Sequence, residues 1–365
     1  MPRSGRGFQG PGDLAAGWAA AIGLSMPDLR FGRGQAGDAM SRGRYAGSVL
    51  SASKERRAMT RPRIGLALGS GSARGWAHIG VIDALAEAGI EPDIVSGTSI
   101  GALVGAAHVA GQLPALQQWA KAATWREIVG LMDVRLSGGG LIDGRQIVAF
   151  LQGLGIDGPI EGYARKFAAV ATDLVTGREV WLQSGPIHDV VRASIAMPGI
   201  ISPARIGEQW LVDGGLSNPV PVSVCRALGA EVIIAVNLNG DLMGRRFAGE
   251  AALAPGDERA AVPGELLDRM LRHLPEPVRE QAMQMVPRLL LRGPSTPGYL
   301  DVIFNSINIM QDQITRTRLA GEPPHVMLVP RLRDVGLLEF TRAGEAIAEG
   351  RACVEQALPM LRRYL

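Results

Sequence analysis

Cysteine is nearly absent. Cys225 and Cys353 are the two in 365 residues, each in a helix-like apolar segment with no partner at CxxC or metal-ligand spacing. A disulfide framework and a zinc site are therefore not expected, and no metal is assigned. Long apolar runs are missing as well. The stretch Ile100 to Val109 contains glycine and histidine and falls far short of the roughly 20 residues that a membrane-spanning helix needs. The N-terminus carries Arg3 and Arg6, then glycine, proline, glutamine and aspartate, with no continuous apolar core of about 7–15 residues such as a secretory signal requires. These absences set the expectation of a cytoplasmic protein. An excess of one charge is lacking too: 38 Lys/Arg against 35 Asp/Glu leave a net +3, whereas nucleic-acid binding shows as a basic patch or stripe. No nucleic-acid partner is expected.

What is present reads as globular. Hydrophobic residues make up 47% of the chain and charged ones 20%, ordinary usage for a packed protein, and the length allows one large domain or two ordinary ones. Residues 1–60 stand apart. They hold nine Lys/Arg against four Asp/Glu, so the remaining residues are slightly acidic, and the basic excess sits in a glycine-rich leader with weak periodicity. A solvated, disordered extension, or sequence upstream of a true start at Met59, is expected there; a transit peptide or a basic lipid-contacting tail is the other reading.

From Arg63 the pattern changes. Ile64 to Leu68 is a short apolar run, Gly69 to Gly75 a Gly/Ser loop, and Ala77 to Ala88 a helix with Ile79, Ile82 and Leu85 at helical spacing. The unit repeats at once, with Pro92 to Val95 as a strand, Gly97-Thr98-Ser99 as a turn and Ile100 to Ala110 as a small-residue helix. Two such units predict a parallel sheet covered by helices. Further strands are expected over Lys166 to Thr172, Arg178 to Leu182, Gln209 to Val212, Ala230 to Asn237 and His325 to Val329, with closing helices over Ser306 to Leu319 and Thr341 to Leu361. Between them, Leu266, Leu267, Met270, Leu271 and Leu274 form an apolar stripe beside Arg269, Arg272 and His273. This basic amphipathic helix is open to two readings, a lid packed on the core or a membrane-surface contact.

Three motifs carry chemistry. Gly97-Thr98-Ser99-Ile100-Gly101 matches GxSxG between a predicted strand and a predicted helix, the setting in which a nucleophilic serine sits on a strained elbow with a helix N-terminus aimed at developing negative charge. The competing reading is a tight turn with Ser99 as an N-cap. The loop Gly69-Ser70-Gly71-Ser72-Ala73-Arg74-Gly75 also joins strand to helix, where free amides make an anion site. A nucleotide is not expected there: Arg74 stands where GxGxxG needs its third glycine, and no Gly-Lys-Ser/Thr follows. Arg74 is open to two roles, an ion pair that holds the loop or a contact to a lipid phosphate. Asp213-Gly214-Gly215 presents a carboxylate at a strand end, which taken alone is also a common turn.

An arginine-containing glycine loop, an elbow GxSxG and a later Asp-Gly-Gly, in that order, resemble the patatin-like phospholipase family, over roughly Arg63 to Leu238 and with Ala193 to Gly199 as supporting text. The resemblance implies an α/β three-layer fold with a mostly parallel central sheet flanked by helices. It also implies a Ser-Asp dyad that hydrolyses acyl esters of lipids, phospholipid or lysophospholipid, without a catalytic histidine or a cofactor. By matching positions Ser99 takes the nucleophile role and Asp213 that of base, while the Gly71 and Ser72 amides form the oxyanion hole. Gly69, Arg74, Gly75, Gly97, Gly101, Gly214 and Gly215 complete the motifs. One departure stands out: the family's loop is commonly a run of glycines, and Ser70 and Ser72 fill two of those places here. The implied organisation is a leader over 1–60, a catalytic core over 61–240, a lid-like insertion over 241–300 and closing elements of the same domain over 301–365. A histidine triad using His273 or His325 is the mechanistic rival, and His78 and His108 fall on helices near the motifs. A catalytically silent lipid-binding protein of the same fold is the functional rival. The expected partner is a lipid acyl ester, met by a protein that is cytoplasmic or peripheral at a membrane surface.

Overall fold

The computed structural model describes residues 61–131, 142–242 and 299–365. The leader, the basic amphipathic stretch over 266–274 with His273, and most of the expected insertion lie outside the described residues.

A mixed sheet of eight strands forms the centre. In chain order these are β1 (Ile64–Leu68), β2 (Ile94–Thr98), β3 (Lys166–Asp173), β4 (Glu179–Leu182), β5 (Ala204–Ile206), β6 (Gln209–Asp213), β7 (Val232–Val236) and β8 (Val326–Leu328). The path runs β5-β6-β3-β2-β1-β7-β8, with β4 also paired to β3. β3, β2, β1, β7 and β8 are mutually parallel, while β4, β5 and β6 enter through antiparallel pairings. β1, β2 and β7 are buried along their whole length, as expected of parallel strands covered on both faces. Alternate residues divide between two cores. Leu66, Leu68, Ile234 and Val236 join the main apolar cluster; Ala67, Ile233 and Ala235 join a smaller one with Val222 and Cys225.

The helices among the described residues are α1 (Ala77–Glu87), α2 (Ile100–Val109), α3 (Leu113–Ala122), α4 (Trp125–Gly130), α5 (Arg145–Gly153), α6 (Ile187–Ser194), α7 (Val222–Ala227), α8 (Tyr299–Gly321) and α9 (Ala343–Leu361). On one face α1 packs tightly against α9, with no room for a side chain at Gly80, whose Cβ would lie 1.9 Å from the Ile347 carbonyl oxygen. α2 is buried almost all round, as a helix apolar on every face must be. α7, carrying Cys225, covers the other face. No described helix is long and apolar enough to cross a membrane.

Two boundaries differ from the sequence reading in ways that bear on the site. Gly97 and Thr98, read as part of a turn, are the last residues of β2: both pair in register with β3, and Thr98 Oγ1 donates to the Asn218 carbonyl at 2.8 Å. The whole reversal therefore falls on Ser99. α8 begins at Tyr299 rather than Ser306. Its buried side chains Asn308, Gln311, Asp312 and Thr315 follow helical spacing but are polar, so apolar periodicity does not mark its buried face.

The β3 register explains how residues 114 positions apart meet. β4 pairs with Ala169–Thr172 on one side of β3. β2 pairs with Lys166–Val170 on the other. Because Ala171 and Thr172 also face β4, β6 must lie on the β2 side, and it ends at Asp213 opposite Ala171, one rung after Thr98 opposite Val170. β2 rising and β6 descending thus meet end to end, at Ser99 and Asp213.

Candidate active site

Ser99 occupies a backbone conformation that the fold imposes. Its φ is +58° and ψ −124°, in a region costly for a residue with a Cβ. Ser72, at φ +52°, is the other non-glycine residue with positive φ among the described residues. Both strained residues line one small cavity. The elbow is held by close packing at Gly97 and Gly101. A Cβ on Gly101 would lie 2.2 Å from the Leu68 carbonyl oxygen, and one on Gly97 would lie 2.4 Å from the Gly101 carbonyl oxygen. The Ser99 amide donates to Ser194 Oγ at 2.9 Å, and Ser194 Oγ donates to the Val170 carbonyl at 2.6 Å, so α6 props the elbow against β3.

The Ser99 side chain makes no capping bond to the helix that follows. Its Oγ instead donates to Asp213 Oδ2 at 2.5 Å, which separates a nucleophile arrangement from the N-cap reading. Asp213 Oδ1 accepts the Gly215 amide at 2.7 Å. One carboxylate oxygen closes the Asp-Gly-Gly turn while the other faces the serine. The Thr172 hydroxyl donates to the Asp213 carbonyl at 2.9 Å. Asp213 is 2% exposed, and burial pushes its pKa up from 3.8 to about 6, against the opposing effect of the Ser99 and Gly215 hydrogen bonds. The carboxyl is thereby made a better base than a surface aspartate while remaining largely ionised near neutrality.

The glycine loop lies beside this pair. The Gly69 amide donates to the Val236 carbonyl at 3.1 Å, Ser70 to Pro219 at 2.9 Å, Ala73 to Leu337 at 3.1 Å and Arg74 to Gly71 at 3.2 Å. Those of Gly71 and Ser72 have no hydrogen-bond acceptor among the described residues and line the Ser99 cavity, where α2 also presents its N-terminus. Because the contributing group is a backbone N–H, Ser72 substitutes for glycine at the cost of its positive φ. Arg74 is 6% exposed; it donates to the Val335 carbonyl at 2.9 Å and to Asn239 Oδ1 at 3.2 Å. It is built into the fold rather than displayed to a phosphate. Gly75 lies within the turn Ser72–Trp76, where a Cβ would come within 2.1 Å of the Ile100 side chain, and Gly214 and Gly215 open the turn after β6.

Side chains that the motifs did not indicate complete the cavity. Gln311 Oε1 accepts from Ser70 Oγ at 2.9 Å and from Asn239 Nδ2 at 3.3 Å, tying α8 to the glycine loop. Ile307, Asn308, Met197 and Leu337 close the rest. The volume left is about 10 Å³, room for about one water. Nothing in the sequence marks Gln311 or Asn308 except polar residues recurring at helical spacing. Ser194 lies in the supporting text but shows its role only through burial.

The described histidines lie elsewhere. His325 Nδ1 accepts the Ile233 amide at 3.0 Å, at the opening of β7 and so at the opposite edge of the parallel sheet from Ser99. His78 is fully buried and neutral, its pKa lowered to about 4 by desolvation. Its Nε2–H donates to the Gly69 carbonyl at 2.8 Å, which fixes the start of the glycine loop. Burial lowers His108 likewise, to about 4. No described histidine hydrogen-bonds to Ser99 or Asp213, and no described cluster of His, Cys, Asp and Glu could hold a metal ion.

The chain belongs to the patatin-like phospholipase family: the model described as Patatin-like phospholipase matches residues 66–226, which span all three motifs. Among its relatives are NTE family proteins. An uncharacterised one from Mycobacterium tuberculosis is 36% identical over 344 residues, 83% of this chain and 93% of that protein. Lysophospholipase nte1 of Aspergillus fumigatus is 35% identical over 182 residues, 48% of this chain and 12% of that protein.

Proposed function

We propose that this protein hydrolyses acyl esters of lipids, phospholipid or lysophospholipid, by a Ser99–Asp213 dyad through an acyl-enzyme. The observation that carries the reading is the 2.5 Å bond from Ser99 Oγ to a buried carboxylate, made by a serine whose strained elbow serves no capping purpose. Ser99 Oγ attacks the ester carbonyl carbon as its proton passes to Asp213 Oδ2. The carbonyl oxygen becomes an oxyanion facing the Gly71 and Ser72 amides. Collapse breaks the bond to the alcohol oxygen, which leaves with the proton from Asp213. Water then attacks the acyl carbon, giving a proton to Asp213; collapse releases the fatty acid and the proton returns to Ser99 Oγ. Family membership supports the lipid ester as substrate, as does the name of the fungal relative. The direct bond from Ser99 Oγ to Asp213 Oδ2, where a triad would place an imidazole between serine and carboxylate, supports the dyad over a triad.

Labelling by a fluorophosphonate probe, mapped by peptide mass, tests the reading together with ester hydrolysis by Ser99→Ala and Asp213→Asn. Label confined to the Ser99 peptide, with both variants folded and their rates down by at least ~10³-fold, is the expected result. Folded protein that neither takes the label nor turns over an ester points to a silent lipid-binding scaffold.

A further inference from the structure

The edge of the sheet that carries Ser99 also bears an apolar surface that the dyad does not use. Past β3 the chain turns into β4 through Leu174, Val175, Thr176 and Gly177. Leu174 is 52% exposed, Val175 83% and Trp210, in β6, 46%. The Leu174 amide donates to the Trp210 carbonyl at 2.8 Å. Asp173 faces Leu211, so one rung further Leu174 faces Trp210, and side chains opposite one another in an antiparallel pair leave the same face. On the far side of β6, Arg205 faces Trp210 with its guanidinium carbon 5.9 Å from the ring centroid. Arg178 ends the turn and is exposed. Glu208, 3.1 Å from Arg205, is the acid of the β5–β6 turn.

The position of this tip matters. Thr98 faces Val170, so Asp173, the last residue of β3, stands three rungs beyond the end of β2, roughly 10 Å at about 3.3 Å per residue, and the turn that carries Leu174 and Val175 lies past it. Trp210 lies three residues from Asp213 along β6, roughly 10 Å in the same column.

We propose that Leu174, Val175 and Trp210, flanked by Arg178 and Arg205, dock the protein on an anionic phospholipid surface and hold the Ser99 edge against it. The choice of lipid rests in part on the hydrolase reading. The surface itself adds that two aliphatic side chains on a convex tip suit a layer that yields to them rather than a preformed pocket. An indole suits the boundary between acyl chains and headgroups, and arginines reach phosphates while their stems stay apolar.

The full chain is tested as Ser99→Ala, so that vesicles stay intact, with and without Val175→Ser plus Trp210→Ala, and with Val175→Ser alone as a milder change. Thermal unfolding verifies each fold. In flotation with phosphatidylcholine–phosphatidylglycerol vesicles, the double change is expected to lower partitioning roughly tenfold or more, the scale of withdrawing one large apolar side chain from hydrocarbon. Arg178→Gln weakens binding to anionic vesicles but not to pure phosphatidylcholine. With Ser99 restored, the double change slows hydrolysis of vesicle lipid and leaves that of a soluble short-chain ester unaltered. Equal flotation of the folded double variant, or no flotation of the parent on any vesicle, overturns the docking surface. Flotation that depends on the tip, in a protein that hydrolyses neither ester, upholds the docking surface and overturns the hydrolase reading instead.

Discussion

In the proposed dyad the chemistry turns on Asp213, because one carboxylate must be both buried and ionised. Its pKa of about 6 follows from desolvation outweighing two hydrogen bonds, and it sets the acid limb of the reaction. A base that acts only when ionised gives a kcat/KM that is flat above about pH 6 and falls about tenfold per pH unit below it. The initial-rate profile of a soluble short-chain ester checks this. An ordinary aspartate pKa would instead carry full activity down to about pH 4, and a histidine base would respond differently to Asp213→Asn, which would then leave an ionising group behind. The same scale explains the departure in the glycine loop. Ser72 at φ +52° offers its amide as glycine would, so the proposed oxyanion role is compatible with a substitution that motif matching alone would count against it.

α8 is the element that most restricts the site. Its buried stripe of Asn308, Gln311, Asp312 and Thr315 lies over the turn after β6 and the glycine loop, and the remaining cavity of about 10 Å³ is far below the roughly 300 Å³ at which ligand pockets begin. An acyl chain therefore requires α8 or its neighbours to move. A helix held by hydrogen bonds rather than by interdigitated apolar side chains separates more readily when water or substrate can replace its partners. Gln311→Ala removes the acceptor shared by Ser70 and Asn239, and is expected to cost about 1–3 kcal/mol of stability while fluorophosphonate labelling of Ser99 becomes faster. Unchanged labelling in a variant with the expected loss of Tm would show that α8 does not limit access. This is also where legibility from the sequence ended. α1 is legible through apolar periodicity, β1 and α2 through short apolar or small-residue runs bounded by turn signals, and Ser99, Asp213 and the glycine loop through spacing. β2 was cut short because Gly97 looks like a turn residue, although close packing against α2 is what requires it. The sequence marks a helix over Ser306 to Leu319 but not its buried polar face, because the pattern that marks a buried face is apolar. The convergence of β2 and β6 beside β3 depends on pairing register across more than a hundred residues, which local pattern does not carry.

For the whole molecule, holding an ionised Asp213 inside the fold opposes stability, and the sign can be followed through pH. The carboxyl titrates at about 6 when folded against an ordinary value of 3.8, so between these values the folded state binds more protons and stability falls as pH rises, levelling off above about 6. The displacement corresponds to about 3 kcal/mol against folding at neutrality. His78 and His108, held near 4 by burial, act the other way: below about 6.5 the unfolded chain gains their protons first, and stability is lost as pH falls towards 4. Wild-type stability thus mixes opposing slopes in one window, and its pH profile alone does not isolate Asp213. Asp213→Asn does isolate it. The amide keeps an oxygen for the Gly215 N–H and turns its NH₂ to Ser99 Oγ, so both contacts persist without the charge. The difference in unfolding free energy, variant minus wild type, should be near zero around pH 4, grow through pH 6 and level off at about 3 kcal/mol in favour of the variant. Parallel denaturant titrations from pH 4 to 8 measure it directly. A difference constant across that range would mean that Asp213 is not taken out of water on folding, and the pH–rate argument would fall with it, because the dry carboxylate that costs the fold stability is the one asked to accept the serine proton.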